Sequence, residues 1–265
     1  MDLQHAHPYQ VWTMRVDVES LQRFYAGPLG ELAARMIARR LETLWGDAAG
    51  LDVLGLGYPT PLLGAYRNAA RRVTALMPGA QGAERWPADG PCLVCLGDEQ
   101  RLPFIDAIFD RVLLVHTLEE SPSAHAVLRE VWRVTAPEGR VIAIAANRTG
   151  LWARTDSTPF GHGRPYSRSQ LAALLRDAMF EPTASARALY APPWSWRPML
   201  ALADEFERAG DLLWPTFGGL VMMEAVKRLA AEPPTVKGRV VRARARAPAA
   251  KSAAQPSPHR QEPPE

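Results

Sequence analysis

The chain has 265 residues, of which 47% are hydrophobic and 22% charged, as expected for a globular protein with a sizeable core. Its formal net charge of +3 comes largely from the last segment, since residues 237–246 read KGRVVRARAR. The rest is close to neutral, so charge gives no argument for nucleic-acid binding. The first residues lack a signal-peptide pattern, and no apolar run approaches the roughly 18 residues of a membrane span. These features predict a cytoplasmic protein with no nucleic-acid partner.

The two cysteines, Cys92 and Cys95, form a CLVC pair. One interpretation is a redox or zinc pair, and the other is two small residues in a strand. A zinc site needs further Cys or His ligands at suitable spacing, and no such pair follows. The strand interpretation is favoured and suits a reducing compartment. No metal site is predicted.

Residues 1–50 are predicted to form an N-terminal arm and a helical cap. The first 18 residues are polar to mixed, whereas apolar residues recur at helical spacing over residues 20–45. This periodicity predicts one or two helices, and Gly27-Pro28 predicts an interruption between them.

Apolar runs alternate with helical segments over residues 51–145. Strands are predicted at 51–56, 72–77, 92–96, 110–115 and 140–145, and helices at 61–70 and 122–133, with a short helix before the fourth strand. The fourth run, DRVLLV, is continuously apolar, as burial on both faces of a parallel sheet requires. The alternation predicts an α/β fold, a Rossmann-like doubly wound sheet.

The pattern loosens after residue 147. Residues 150–165 are rich in Gly, Pro, Trp and Phe, which favours a functional loop over a linker. Two more strands are predicted, at 185–190 and 219–227, with helices starting at 167 and over 198–209. The result is a mostly parallel seven-stranded sheet in a domain spanning 51–230. Residues 231–265 are mainly Pro, Ala and Arg and are predicted to be a disordered basic tail.

The segment 97–144 closely resembles the second half of class I S-adenosylmethionine-dependent methyltransferases, through its GDEQRLPF turn, LREVWRV helix and PEGRVIAI strand. The resemblance extends over residues 51–227 and implies S-adenosylmethionine as cofactor. A glycine turn after the first strand lets the backbone approach that ligand closely, because glycine has no Cβ. Gly55 and Gly57 match the turn. Its third glycine is replaced by Pro59, and the acidic position of the strand is Val53.

Two further anchors follow from the same resemblance. The acid that binds the ribose hydroxyls corresponds to Met77, which is either a packing residue for adenine or a core methionine. Asp98 corresponds to the acid that accepts a hydrogen bond from the adenine amine, or else it is a helix N-cap. His116 is a weak candidate for a general base. The alternative is that it only forms part of the pocket wall beside the sulfonium group of the cofactor. The cofactor-binding residues implied are Gly55, Gly57, Tyr58, Met77, Asp98, Glu99 and His116.

The loop after the fifth strand is expected to lie on the acceptor side of the sheet, beyond the carboxyl ends of the strands. Its arginines favour an acceptor that carries a carboxylate or phosphate, although the loop can equally be scaffold. The substrate-binding candidates are Arg148, Trp152, His162, Arg164 and Tyr166. A second set of aromatic residues is expected either to line the acceptor pocket or to pack within a lid over it: Tyr190, Trp194, Trp196 and Trp214.

The sequence therefore predicts a methyltransferase that acts on a small-molecule or lipid-like acceptor. The alternative is a catalytically silent, methyltransferase-like binding or regulatory protein whose cofactor site is lost at Val53, Pro59 and Met77. A nicotinamide-dependent oxidoreductase is disfavoured, because both the G-x-G-x-x-G turn and the second-strand acid are absent. Neither the acceptor nor the oligomeric state follows from the sequence.

The composition of the tail yields a first prediction. Truncation after Ala231 should leave the midpoint of thermal unfolding unchanged, because the removed residues have too few apolar side chains to offset the entropy of ordering them. Differential scanning calorimetry of the full and truncated chains measures this. A large drop in the midpoint would show that the tail docks on the body or on a second subunit.

Overall fold

The structure is a computed structural model that describes residues 15–228. It begins with two helices, α1 (Val18–Tyr25) and α2 (Pro28–Trp45). The Asp17 side chain caps α1 by accepting a hydrogen bond from the Ser20 amide, and Pro28 occupies the first turn of α2. The predicted interruption at Gly27-Pro28 is confirmed. Residues 1–14 and the predicted tail lie outside the described residues.

The sheet has seven strands, and their order is β3-β2-β1-β4-β5-β7-β6. Neighbours from β3 to β5 are parallel, whereas β7 is antiparallel to both β5 and β6. The predicted Rossmann-like, mostly parallel sheet is confirmed. The strands are β1 (Asp52–Gly57), β2 (Arg72–Pro78), β3 (Val94–Gly97), β4 (Phe109–Val115), β5 (Thr135–Ala146), β6 (Glu181–Ala188) and β7 (Leu220–Val226).

Helices cover both faces of the sheet. Alternate strand residues such as Val53 and Leu113 face a core shared with α1 and α2, while Leu54 and Leu114 face a second core on the other side. The N-terminal helices therefore complete one layer of the domain. The remaining helices are α3 (Thr60–Leu63), α4 (Ala124–Val134), α5 (Arg168–Asp177), α6 (Arg197–Ala201) and α7 (Ala203–Leu213).

Several elements differ from prediction. Strand β5 starts at Thr135, five residues earlier than expected, and the helix predicted at 198–209 is divided into α6 and α7. The helix after β1 is only one turn long and continues as a 3₁₀ turn, Gly64–Tyr66. Strand β6 starts at Glu181, four residues earlier than expected. The short helix predicted before β4 is replaced by turns, because α4 side chains satisfy that backbone instead. Glu130 accepts the Leu102 amide at 2.9 Å, and Arg133 donates to the Leu102 carbonyl at 2.9 Å.

Among residues 15–228, no helix combines the length and the apolar character that crossing a bilayer would require. Cys92 is exposed and Cys95 half-buried, both as free thiols. Cys95 lies in β3, whereas Cys92 precedes that strand.

Candidate functional site

A cavity of about 1000 Å³ opens at the carboxyl edge of the parallel strands. In doubly wound sheets this edge is where ligands bind. Its walls are the turns after β2, β3 and β4, at residues 78–80, 97–100 and 118–122, together with Arg15 and part of the loop after β5. The topology thus brings together residues that lie far apart in the sequence, from Arg15 to Tyr166.

Four of the residues proposed from sequence line this cavity: Asp98, Glu99, Arg164 and Tyr166. The Asp98 carboxylate is exposed and accepts the Gln100 amide at 2.8 Å, which stabilises a turn rather than a helix. Tyr166 is buried and donates its hydroxyl hydrogen to the Leu118 carbonyl at 3.2 Å. These contacts fix the walls on the β3 and β5 sides.

The glycine turn after β1 is packed against the protein's own atoms. Gly57 has a φ of +84°, and a Cβ there would lie 2.1 Å from the Val115 carbonyl oxygen. A Cβ on Gly55 would lie 2.5 Å from the ring of Pro59. The space beside Gly55 is therefore filled by the residue that replaces the family's third glycine. Neither glycine lines the cavity.

An aromatic cluster covers the same turn. Tyr25 and Tyr58 stack with ring centroids 5.6 Å apart, and the Tyr25 hydroxyl hydrogen-bonds His116 Nε2 at 2.9 Å. The His116 ring also lies 4.6 Å from that of Phe160. Burial, assisted by the positive charge of Arg15, lowers the pKa of His116 to about 3. Tyr58 and His116 are thus held in this cluster, outside the cavity wall.

The other residues proposed from sequence lie either in the core or on the surface. Met77 is fully buried in the core and Trp152 nearly so, with the Trp152 Nε1 donating to the Ala191 carbonyl at 2.8 Å. Neither lines the cavity, because each side chain packs in the core beside the strand ends. Arg148 and His162 are exposed but also lie outside it. The cavity wall therefore contains no side chain of these four residues.

Arg15, which was not predicted from the sequence, closes one side of the cavity. Arg15 donates to both carboxylate oxygens of Glu99, at 2.7 and 2.9 Å, and its Nε lies 3.7 Å from Glu120. The arm continues across the strand ends, since the Val16 amide donates to Glu120 at 3.1 Å. Arg15, Glu99 and Glu120 are almost completely buried. No periodicity marks such an arm residue, which only the folded chain brings to the site.

Glu119 and Glu120 form a buried acid pair after β4, in the HTLEE segment expected to border the pocket, although neither was proposed as a site residue. Glu119 accepts the Ala146 amide through Oε1 at 3.0 Å, but its Oε2 has no partner within residues 15–228. Glu120 Oε1 is likewise without one there. Burial raises the pKa of Glu119 to about 7 and that of Glu120 to about 8. The adjacent acids in HTLEE, directly after a buried strand, were the available sequence signal.

The site fits the two ends of S-adenosylmethionine unequally. The cavity offers Asp98 and Glu99 beside the turn after β3, where the adenosine end would lie. The methionine end does not fit at the glycine turn, because Pro59 and the aromatic cluster fill that space. Gln81 further covers the turn by donating to the Gly57 carbonyl at 3.0 Å.

Comparisons with known proteins agree with the geometry. Residues 51–143 match the family model described as a methyltransferase domain. The chain is 32% identical over 137 residues to a demethylmenaquinone methyltransferase of Mycolicibacterium gilvum, a match covering 50% of this chain and 57% of that protein. The chain thus spans little more than half the length of this curated relative.

Solved structures show the same fold. A methyltransferase from Thermotoga maritima aligns with a TM-score of 0.55 and 16% identity, over 80% of this chain and 96% of the other. The [4+2]-cyclase SpnF aligns with a TM-score of 0.50 and 19% identity, over 74% and 82%. These identities are low, so the two likenesses concern the fold alone.

Fold, cavity and family match together define a Rossmann-like domain of the methyltransferase type. The chain resembles the class I S-adenosylmethionine-dependent methyltransferases over the matching residues 51–143, and its fold is that of solved methyltransferase structures.

The buried Arg15 network yields a stability prediction. Arg15→Ala should lower the free energy of unfolding by about 3–5 kcal/mol, because it leaves the buried Glu99 carboxylate without its cation. Urea unfolding followed by circular dichroism measures the change. Arg208→Ala is the matched control: its 2.8 Å pair with Glu205 is exposed and should contribute less than about 1 kcal/mol. Equal losses in both variants would contradict the importance of burial.

The acid pair yields a pH prediction. Because folding raises both pKa values, the folded state holds protons that the unfolded state releases, so stability is complete below about pH 4.5 and declines as pH rises toward 7–8. In the Glu119→Gln/Glu120→Gln variant this decline should be much shallower. Unfolding midpoints between about pH 5 and 8.5 test it. Parallel curves for the two proteins would show that these groups do not titrate as inferred.

Proposed function

We propose that the protein is an S-adenosylmethionine-dependent methyltransferase acting on a small-molecule or lipid-like acceptor. The observation that carries this proposal is the cavity at the carboxyl edge, with Asp98 and Glu99 on one wall, in a chain whose sheet and residues 51–143 match the family. When bound, S-adenosylmethionine supplies the methyl group. The chain's own residues bind, orient and shield the reactants from water.

Asp98 and Glu99 are proposed to hold the adenosine end. The second oxygen of the Asp98 carboxylate is not needed for the Gln100 turn and can accept the adenine amine. The Arg15 pair fixes Glu99 and closes this side of the cavity. Entry of the whole cofactor requires the aromatic cluster over Gly57 to move, because that cluster now fills the place of the methionine end.

The acceptor is proposed to enter beside the loop after β5. Arg164 lines the cavity and its amide donates to the Glu119 carbonyl at 2.8 Å, which fixes the loop there. Its cationic side chain favours an acceptor with a carboxylate, phosphate or ionised hydroxyl. The curated relative is named for demethylmenaquinone, so a quinone-type ring with a lipid tail is a reasonable class to assay first.

Isothermal titration calorimetry with S-adenosylmethionine and S-adenosylhomocysteine tests the proposal. Both should bind, and Asp98→Ala should weaken binding about tenfold to a hundredfold, the loss of one charge-assisted hydrogen bond. Asp98→Asn keeps an acceptor for the Gln100 amide and should lose less. If Asp98→Ala lowers only the melting temperature, Asp98 is a turn residue. Absence of binding by the wild type at millimolar ligand would contradict the cofactor proposal.

A second candidate is a binding or regulatory protein without methyl transfer. The filled space at Gly55 and the packed cluster of Tyr25, Tyr58 and His116 favour it, since both oppose placement of the methionine end at the glycine turn. The cyclase with the same fold supports the general point that this fold does not determine the reaction. Binding of adenosine with affinity equal to that of S-adenosylmethionine would favour this candidate, because the methionine end would then contribute nothing.

A further inference from the structure

The segment between β6 and β7 exposes an unusual amount of apolar surface. Seven of the eleven large hydrophobic side chains that are exposed among the described residues lie between positions 194 and 217. Exposed apolar side chains that are grouped in one segment mark a candidate interaction surface. We name the following six residues the Trp/Leu surface: Trp194, Trp196, Leu212, Leu213, Trp214 and Phe217, each more than half exposed.

This exposure is not the result of a loosely attached segment. The Tyr190 amide donates to Glu207 at 2.7 Å, and its ring packs against Gly210 of α7. At the far end, Asn147 donates to the Gly218 carbonyl at 2.6 Å. Helix α7 buries Ala203, Glu207 and Gly210 on its inner face. The segment is thus fixed at both ends and along one helix face, while its apolar side chains point away from the core.

The charges around the Trp/Leu surface do not oppose an anionic partner. All four acids of α7 are engaged: Asp204 pairs with Arg39, Asp211 with Arg40 at 3.0 Å, Glu205 with Arg208, and Glu207 is buried against the Tyr190 amide. Arg197 adds an exposed cation next to Trp196. The local charge is therefore balanced, and the surface is left with its indole and aliphatic groups.

The sequence provides a second, cationic contribution. Residues 237–246 contain five basic residues and no acid, and no acid occurs between Glu232 and Glu262. Basic runs of this kind are attracted to anionic lipid headgroups, and the attraction grows with each Lys or Arg near the surface. This attraction depends on charge and requires no fixed position of the run.

We propose that the partner of the Trp/Leu surface is an anionic lipid bilayer. Indole rings combine an apolar body with one N–H donor and favour the headgroup boundary, where the Leu and Phe side chains insert. Shallow apolar insertion and a basic run together provide the two contributions that stable peripheral attachment needs. A second copy of the chain is the competing occupant, but it would bring a second basic run of the same sign.

Flotation of the full-length protein with vesicles tests this proposal. It should float with phosphatidylglycerol/phosphatidylcholine vesicles at low salt, and much less with phosphatidylcholine alone or at high salt. The Trp194→Ser/Trp196→Ser/Trp214→Ser variant should bind at least about tenfold more weakly, through lost apolar contact. Leu96→Ser/Ile105→Ser is the matched control, since these two side chains are equally exposed elsewhere and should not matter.

Further measurements distinguish a lipid bilayer from a second copy of the chain as the partner of the Trp/Leu surface. Lipids brominated in their acyl chains should quench tryptophan fluorescence of the wild type, and circular dichroism should show that the triple variant stays folded. Should that variant unfold, Leu212→Ser/Leu213→Ser replaces it. Equal binding by variant and wild type, or no binding to anionic vesicles, overturns the proposal. So does a dimer in analytical ultracentrifugation that the triple variant abolishes, because the surface would then join two copies.

Discussion

The close approach between the end of β1 and the end of β4 is the constraint on which the site depends. Gly57 lies where a Cβ would overlap the Val115 carbonyl oxygen, and the Tyr58 amide donates to that same oxygen at 2.9 Å. A larger residue would push β1 away from β4 and open the sheet at its centre. The glycine of this turn is therefore required by the fold itself, whether or not a ligand approaches it.

The sequence predicts the fold more directly than it predicts the site. The parallel strands were recognisable because their apolar runs, such as DRVLLV, reflect burial on both faces, which is a local property. The site depends on which side chains cross the strand ends after folding. Arg15 reaches Glu99 over 84 positions, and such a contact leaves no periodic signal. Asp98 lies at the cavity because it directly follows the end of β3.

Two of the residues proposed for the site from sequence lie outside the cavity wall for packing reasons. Met77 and Trp152 are large apolar side chains beside the strand ends, and the core accepts them more favourably than an aqueous cavity does. The short helix expected after β3 failed because Glu130 and Arg133 of α4 satisfy the polar backbone groups there. In both cases contacts between residues far apart in the sequence determine the structure, and the local sequence pattern does not reveal them.

The cavity and the aromatic cluster differ in their response to a ligand. The cavity is open and lined by polar groups such as the exposed Asp98 carboxylate, so a polar ligand can form hydrogen bonds there. The cluster of Tyr25, Tyr58 and His116 is densely packed and satisfied, so a ligand entering it must displace existing contacts. The ion pairs of Arg15 lie between these two regions and tie the start of α1 to the strand ends.

The antiparallel placement of β7 has a topological consequence. Ala188 at the end of β6 pairs with Leu220 at the start of β7, so the intervening segment leaves and re-enters the sheet at adjacent points. Its length and surface can therefore change without altering the register of the parallel strands. The segment can thus vary its outer surface while the strand ends at the cavity keep their order, because none of residues 189–219 lines the cavity.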